Sequence, residues 1–176
     1  YLHPVETFST NIMGPVNLLE ASRNCQAVKI FINITTDKCY ENKEWSYGYR
    51  EIDNLGGIDP YSNSKACSEL VTMSYRESFG SEKFNVSSVR AGNVIGGGDW
   101  SENRIVPDLL NAKKNQTKIL LRYPNAIRPW QHVLEPLFGY ILLAEKMYLN
   151  PLKYNSAWNF GPRNEDHKTV EYLANK

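Results

Sequence analysis

Val28-Lys29-Ile30-Phe31-Ile32-Asn33-Ile34, followed at once by Thr35-Thr36-Asp37, is the stretch on which the fold turns. It alternates, is rich in β-branched residues and stops at a polar run, as a sheet strand does. Upstream, Phe8, Ile12, Val16 and Leu19 recur at three- and four-residue steps between Pro4 and Asn24, which predicts an amphipathic helix with a proline in its first turn. Pro15 interrupts that pattern, and an interior proline costs a helix about 3 kcal/mol, so a kink is expected there. Downstream, residues 41–59 hold Trp45, Tyr47, Tyr49 and three glycines without a steady period and read as a long ordered loop, the kind that tends to be functional. A second helix follows Asp59-Pro60, from about Tyr61 to Phe79. Its apolar positions Leu70, Val71, Met73 and Tyr75 spread over more than one face, predicting sheet on one side and a partner on the other. Asn85-Val86-Ser87-Ser88-Val89-Arg90 is the next strand. Helix, strand, helix, strand is the grammar of a parallel α/β sheet.

Beyond it the sequence predicts a polar helix from about Arg104 to Lys114, a short strand at Lys118-Ile119-Leu120-Leu121, and a mostly buried apolar helix from Pro136 to Tyr148. No repeat, low-complexity tract or linker divides the chain. The 176 residues suffice for one substantial core, and 20 Lys and Arg against 19 Asp and Glu leave a charge of +1, which argues against a nucleic-acid surface. The greasiest segment, Val133 to Tyr148, is broken by Glu135, Gly139, Glu145 and Lys146, so no membrane helix is expected. Cys25, Cys39 and Cys67 stand too far apart for a disulfide framework or a metal knuckle. The start lacks the features of a signal peptide, and a cytoplasmic protein is the expectation.

Tyr61-Ser62-Asn63-Ser64-Lys65 sets a tyrosine and a lysine four apart on one helical face, a weak motif by itself. Its context gives it weight, because Thr36 ends the preceding strand and open α/β sheets bind ligands at the carboxyl ends of their strands. Tyrosine, with a pKa of about 10, is a poor base at neutral pH, and a neighbouring cation such as Lys65 favours the tyrosinate. Thr36 could then hold a substrate hydroxyl as its proton leaves. The competing reading is a surface Tyr/Lys stack.

Four matches at consistent spacing go further: Thr36-Asp37-Lys38-Cys39-Tyr40-Glu41-Asn42; Tyr61 with Lys65; Arg90-Ala91-Gly92-Asn93-Val94-Ile95-Gly96-Gly97-Gly98-Asp99-Trp100; and Arg128-Pro129-Trp130-Gln131-His132-Val133-Leu134-Glu135-Pro136. Together they resemble the sugar-nucleotide 4,6-dehydratases of the extended short-chain dehydrogenase/reductase superfamily, and within them the group acting on CDP-glucose. The resemblance covers nearly the whole chain. It implies a Rossmann-like doubly wound parallel sheet, with residues 1–100 as the catalytic part and 101–176 as a mixed region that contributes to the sugar-nucleotide site and returns to the sheet. It also implies an NAD-dependent lyase of polysaccharide biosynthesis. Hydride leaves C4 of glucose, water is eliminated across C5 and C6, and the hydride returns to C6, giving CDP-4-keto-6-deoxyglucose. By resemblance Tyr61 is the C4 hydroxyl base, Lys65 its electrostatic partner and the anchor of the nicotinamide ribose, Thr36 the hydroxyl-positioning group, and Asp37 the acid for the C6 hydroxyl. Lys38 stands where the dTDP-glucose enzymes have a glutamate; it takes the C5 proton or stabilises the enolate.

Asn93 and Arg128 face the sugar nucleotide in this resemblance, a planar guanidinium suiting pyrophosphate; the alternative for Arg128 is a structural ion pair. The helices of residues 5–24 and 61–79 resemble those that pair in superfamily homodimers. Gly96-Gly97-Gly98 lacks the spacing of a dinucleotide fingerprint, and no histidine grouping suggests a metal site. No glycine-rich turn follows a first strand, so the expectation is a piece of the family's fold lacking the N-terminal βαβ portion, which alone neither retains NAD nor turns over substrate. Two other readings stay open: a sugar-nucleotide epimerase, which needs no acid at Asp37, and a noncatalytic nucleotide-binding or dimerising module.

Overall fold

The computed structural model describes residues 3–45, 47–101 and 104–176. They form two compact units. One comprises the chain through Ala91 together with Phe138–Phe160, and the other comprises Gly92–Leu137 and Gly161–Lys176, so the boundary is crossed three times.

The first unit is built on a three-stranded parallel sheet in the order β1 (Ile30–Ile34), β2 (Asn85–Ala91), β6 (Ala157–Phe160). Alternation decides what each face holds. Phe31 and Val86 point to one side, where they pack with Leu19, Phe84, Val71 and Tyr75. Ile30, Ile32 and Val89 point to the other, against Leu143, Met147, Tyr140, Trp158 and Phe160. The helices on the first side are α2 (Gly14–Arg23) and α3 (Pro60–Phe79). On the second lies α5 (Leu134–Leu149), whose Gly139 lets the Phe160 ring so close that a Cβ there would stand 2.2 Å from it.

The proline-interrupted first helix resolves into α1 (Pro4–Phe8), a π-helical turn at Ser9–Met13, and α2. Pro15 sits at the start of α2, and the widened turn before it relieves the clash its ring would make with the carbonyl four residues back.

Two expectations change, for α5 and for Lys118–Leu121, and α3 adds a feature the sequence did not show. Val71 and Tyr75 pack on the sheet as its apolar side, but Ser68, Glu69 and Thr72 are buried as well, whereas Leu70 and Met73 are exposed. Hydrogen bonds make this possible: Asn33 donates from Nδ2 to Ser68 Oγ at 2.9 Å and Thr72 Oγ1 at 2.7 Å. The apolar helix α5 is covered on one side only, with Leu143 and Met147 buried and Phe138 and Ile141 69% and 71% exposed. Lys118–Leu121 form no strand, since no neighbouring strand pairs with them, and Leu120 is exposed.

In the second unit β3 (Val94–Ile95) pairs in parallel with β5 (Gln131–His132), and β4 (Ile127–Arg128) pairs antiparallel with β7 (Lys168–Thr169). The helices are α4 (Ile105–Asn115) and α6 (Val170–Ala174). Among the described residues no helix is long and apolar enough to cross a membrane.

Candidate active site

Five of the singled-out residues lie in the first unit, at and beyond the carboxyl end of β1. Thr36 is nearly buried and extended, and its hydroxyl both donates to Asp37 Oδ1 at 3.1 Å and accepts from the Lys38 amide at 3.4 Å. It thereby caps a single 3₁₀ turn, Asp37–Cys39. The turn is docked on α3 by Cys39 and Tyr40, which pack with Ala66, the neighbour of Lys65. Burial pushes the Cys39 thiol up to about 12, so it serves as packing and not as a nucleophile.

Tyr61 stands in the first turn of α3 and is 40% exposed. Asp59 fixes that turn, accepting from the Ser62 amide at 3.0 Å and the Ser62 hydroxyl at 2.6 Å, with Pro60 at the first helical position. The loop before it presses so closely that a Cβ on Gly57 would stand 2.4 Å from the Ser62 carbonyl carbon. The Lys38 ammonium lies 6.0 Å from the Tyr61 ring centroid, which brings the 3₁₀ turn and the head of α3 to one place. Lys65, one turn on, is half-buried and makes no hydrogen bond or ion pair with the described residues. Burial lowers its pKa, and the Glu69 carboxylate offsets part of that.

The loop of residues 41–59 holds a definite course over its described residues. It is tied down by Glu41 N to Asn54 O at 2.9 Å, Gly56 N to Cys39 O at 2.8 Å, and a stack of Tyr49 on Tyr40.

Asn93 and Arg128 lie in the second unit. The Asn93 carbonyl accepts from the Gln131 amide at 3.0 Å. Arg128 is exposed, its Nη1 donating to the Ile127 carbonyl at 3.0 Å, and no ion pair links it to a carboxylate of the described residues.

Sequence reasoning missed two groups. Asn11, inside the π-turn, donates to Ser64 Oγ at 2.9 Å, and Ser64 in turn donates to the Tyr61 carbonyl at 2.8 Å, so it reaches the head of α3. The other is a buried polar cluster around Glu69 and Arg90, whose ion pair is 2.8 Å long with side chains 2% and 4% exposed. Pro15 signalled the first, since a helix that must accommodate a proline often does so at a functional widening. A lone Glu inside a helix at serine spacing was the only sign of the second.

The model of a family described as GDP-mannose 4,6 dehydratase matches residues 1–154. A CDP-glucose 4,6-dehydratase of Salmonella typhimurium is 53% identical along 100% of this chain, which spans 51% of that protein. A dTDP-D-glucose 4,6-dehydratase of Dictyostelium discoideum is 33% identical over 61% of the chain and 26% of its own length. Among solved structures, the UDP-N-acetylglucosamine 4-epimerase of Methanobrevibacter ruminantium superposes with a TM-score of 0.82 at 23% identity, covering 99% of this chain and 53% of that one. The dTDP-glucose 4,6-dehydratase of Bacillus anthracis, solved in complex with NAD, gives 0.78 at 22%, covering 96% and 50%. The fold is the Rossmann-like parallel α/β arrangement expected. The chain spans about half the length of the Salmonella relative, and with the family model matched over most of it, it belongs to the GDP-mannose 4,6-dehydratase family of sugar-nucleotide dehydratases.

Proposed function

We propose that this chain carries the catalytic centre of an NAD-dependent CDP-glucose 4,6-dehydratase, which forms CDP-4-keto-6-deoxyglucose. The observation that carries this reading is the 53% identity, along all of the chain, to the Salmonella enzyme of that name. The residues fit the cofactor: a half-buried Lys65 ammonium without a hydrogen-bond acceptor among the described residues suits the hydroxyls of a ribose. NAD supplies the hydride acceptor and later the hydride donor.

The chain's own groups manage protons and position. Thr36 holds the C4 hydroxyl, Tyr61 accepts its proton, and Lys65 favours the tyrosinate that does so. Asp37, one residue past Thr36, gives its proton to the departing C6 hydroxyl. Lys38 serves at C5, as base or as the cation beside the developing enolate. Arg128, whose planar guanidinium suits a pyrophosphate and which no carboxylate of the described residues pairs, takes that group, and Asn93 assists at the sugar nucleotide. The activity belongs to the cytoplasm and to polysaccharide biosynthesis, and the three free thiols suit a reducing compartment.

The test exploits the order of steps. Asp37→Asn in the complete protein leaves the first hydride transfer near the parent rate and slows water loss by about 10²-fold, the lower range for a positioned acid. Bound NADH then accumulates after mixing with CDP-glucose, and product lags. Parent-like product formation by this variant would contradict the assignment.

Two copies pair through the helices of residues 5–24 and 61–79. Leu18 at 61% exposure, with Leu70 and Met73, supplies the apolar surface such a pairing covers. Sedimentation of the complete protein at micromolar concentration is expected to give a dimer; monomer alone would count against it.

A further inference from the structure

One carboxylate on the helix that bears Tyr61 and Lys65 reaches both β2 and the residue that follows β1. Glu69 lies one turn after Lys65 and two turns after Tyr61 on the same side of α3. Its Oε1 accepts from the Thr35 hydroxyl; its Oε2 accepts from Ser88 Oγ at 2.6 Å and from Arg90 Nη2 at 2.8 Å. Those partners come from different elements. Thr35 follows β1 and immediately precedes Thr36, while Ser88 and Arg90 are the two positions of β2 nearest its carboxyl end that face α3. Thr35 is locked further by donating to the Val89 carbonyl at 3.1 Å. Arg90 also donates to Tyr40 Oη at 2.7 Å and to the Glu51 carbonyl at 3.1 Å, extending the grip to the end of the 3₁₀ turn and the long loop. Thr35, Glu69, Ser88 and Arg90 are all buried, and none of the four is a group that would touch substrate in the mechanism above.

Resting on that redox reading, we infer that Glu69, with Thr35 and Arg90, is a positioning residue for C4 oxidation. Its carboxylate fixes the distance between the strand end that carries Thr36 and the helix turn that carries Lys65 and Tyr61. The chemistry requires such a fixture. A hydroxyl, its base and the base's cation must converge on one oxygen from two separate elements, and misplacement by about 1 Å can cost 10²-fold in rate. Apolar packing between α3 and the sheet lies further down, around Val71 and Tyr75; nearer its head α3 packs on Cys39 and Tyr40 through Ala66, and its link to the strand ends is made by hydrogen bonds.

Replacing Glu69 itself strands the buried Arg90 guanidinium and tests folding, so the experiment goes through Thr35, whose loss leaves the ion pair intact. In the complete protein loaded with NAD, Thr35→Val is expected to lower single-turnover NADH formation from CDP-glucose on the order of 10-fold or more with substrate affinity unchanged, and Thr35→Ser, which keeps the hydroxyl, to recover most of that rate. A second readout needs neither turnover nor cofactor: acetylation of Lys65 by acetic anhydride, relative to exposed Lys113, rises in Thr35→Val and not in Thr35→Ser. NADH formation in Thr35→Val at the parent rate, whatever the fall in melting temperature, would overturn the inference and leave these residues a purely structural role. A parent protein that forms no NADH would instead refute the redox reading. The Lys65 labelling then decides alone, and labelling unchanged by Thr35→Val overturns the positioning role.

Discussion

Tyr61→Phe in the complete protein is expected to slow the first hydride transfer on the order of 10³-fold, within the range that positioned acid–base groups contribute. The substitution keeps the ring, and with it the contact with the Lys38 ammonium, and removes only the oxygen. Oxidation of C4 requires its hydroxyl proton to leave as the hydride does. Thr36 can hold that hydroxyl but, with its own hydroxyl shared between Asp37 and the Lys38 amide, is no proton acceptor. Substrate binding rests on other groups, so the loss falls on the rate and not on affinity. Rapid mixing of NAD-loaded protein with CDP-glucose, followed by NADH absorbance, reads the step directly. Undiminished NADH formation would remove Tyr61 from this role.

The second large effect is on stability. Arg90→Met deletes one partner of an ion pair whose side chains are 4% and 2% exposed, and such a deletion costs about 3–5 kcal/mol because the remaining charge stays buried without compensation. Burial by itself would raise the Glu69 carboxyl. In the parent the hydrogen bonds and charge of Arg90, with Ser88 and Thr35, more than reverse this and hold it below the ordinary carboxylate value. A depressed folded-state pKa contributes stability that is present above the unfolded-state value of about 4.3 and is lost as pH falls through the folded-state value. Without Arg90, burial dominates and the sign reverses, so the variant gains relative to the parent as Glu69 takes up a proton. The gap between the two urea midpoints should therefore be widest at neutral pH and narrow as pH falls through the carboxylate range. A gap below about 1 kcal/mol at pH 7, the scale of an exposed pair, would show that the pair does not carry this load.

The strands and helices that bear the site were legible because each announces itself locally: β1 by alternation, the head of α3 by Asp59-Pro60, the loop by its lack of period. The way α3 meets the sheet was not. Hydrophobic periodicity assumes that the buried face is the apolar one, and here Ser64, Ser68, Glu69 and Thr72 are inside while Leu70 and Met73 are out. Nothing in a single sequence separates a serine that is solvated from one paired with Asn33 across 35 residues. Glu69 was invisible for the same reason, since its partners Thr35, Ser88 and Arg90 sit on or just after two strands distant from it in sequence. The strand expected at Lys118–Leu121 failed for the converse reason: β-propensity describes a segment, whereas a strand exists only with a neighbour to pair with.

The polar seam between α3 and the sheet makes the helix a detent. Hydrocarbon surfaces can slide by a fraction of an ångström and keep most of their attraction, but one residue of slip along a helix is about 1.5 Å, enough to undo the bonds of Asn33, Thr35, Ser88 and Arg90 to α3 together. Packed interfaces of this kind hold discrete arrangements and do not deform continuously. Loosening the seam therefore shifts α3 between seated and unseated positions faster than turnover, so the lowered rate of NADH formation in a loosened variant reads the fraction of time the helix is seated.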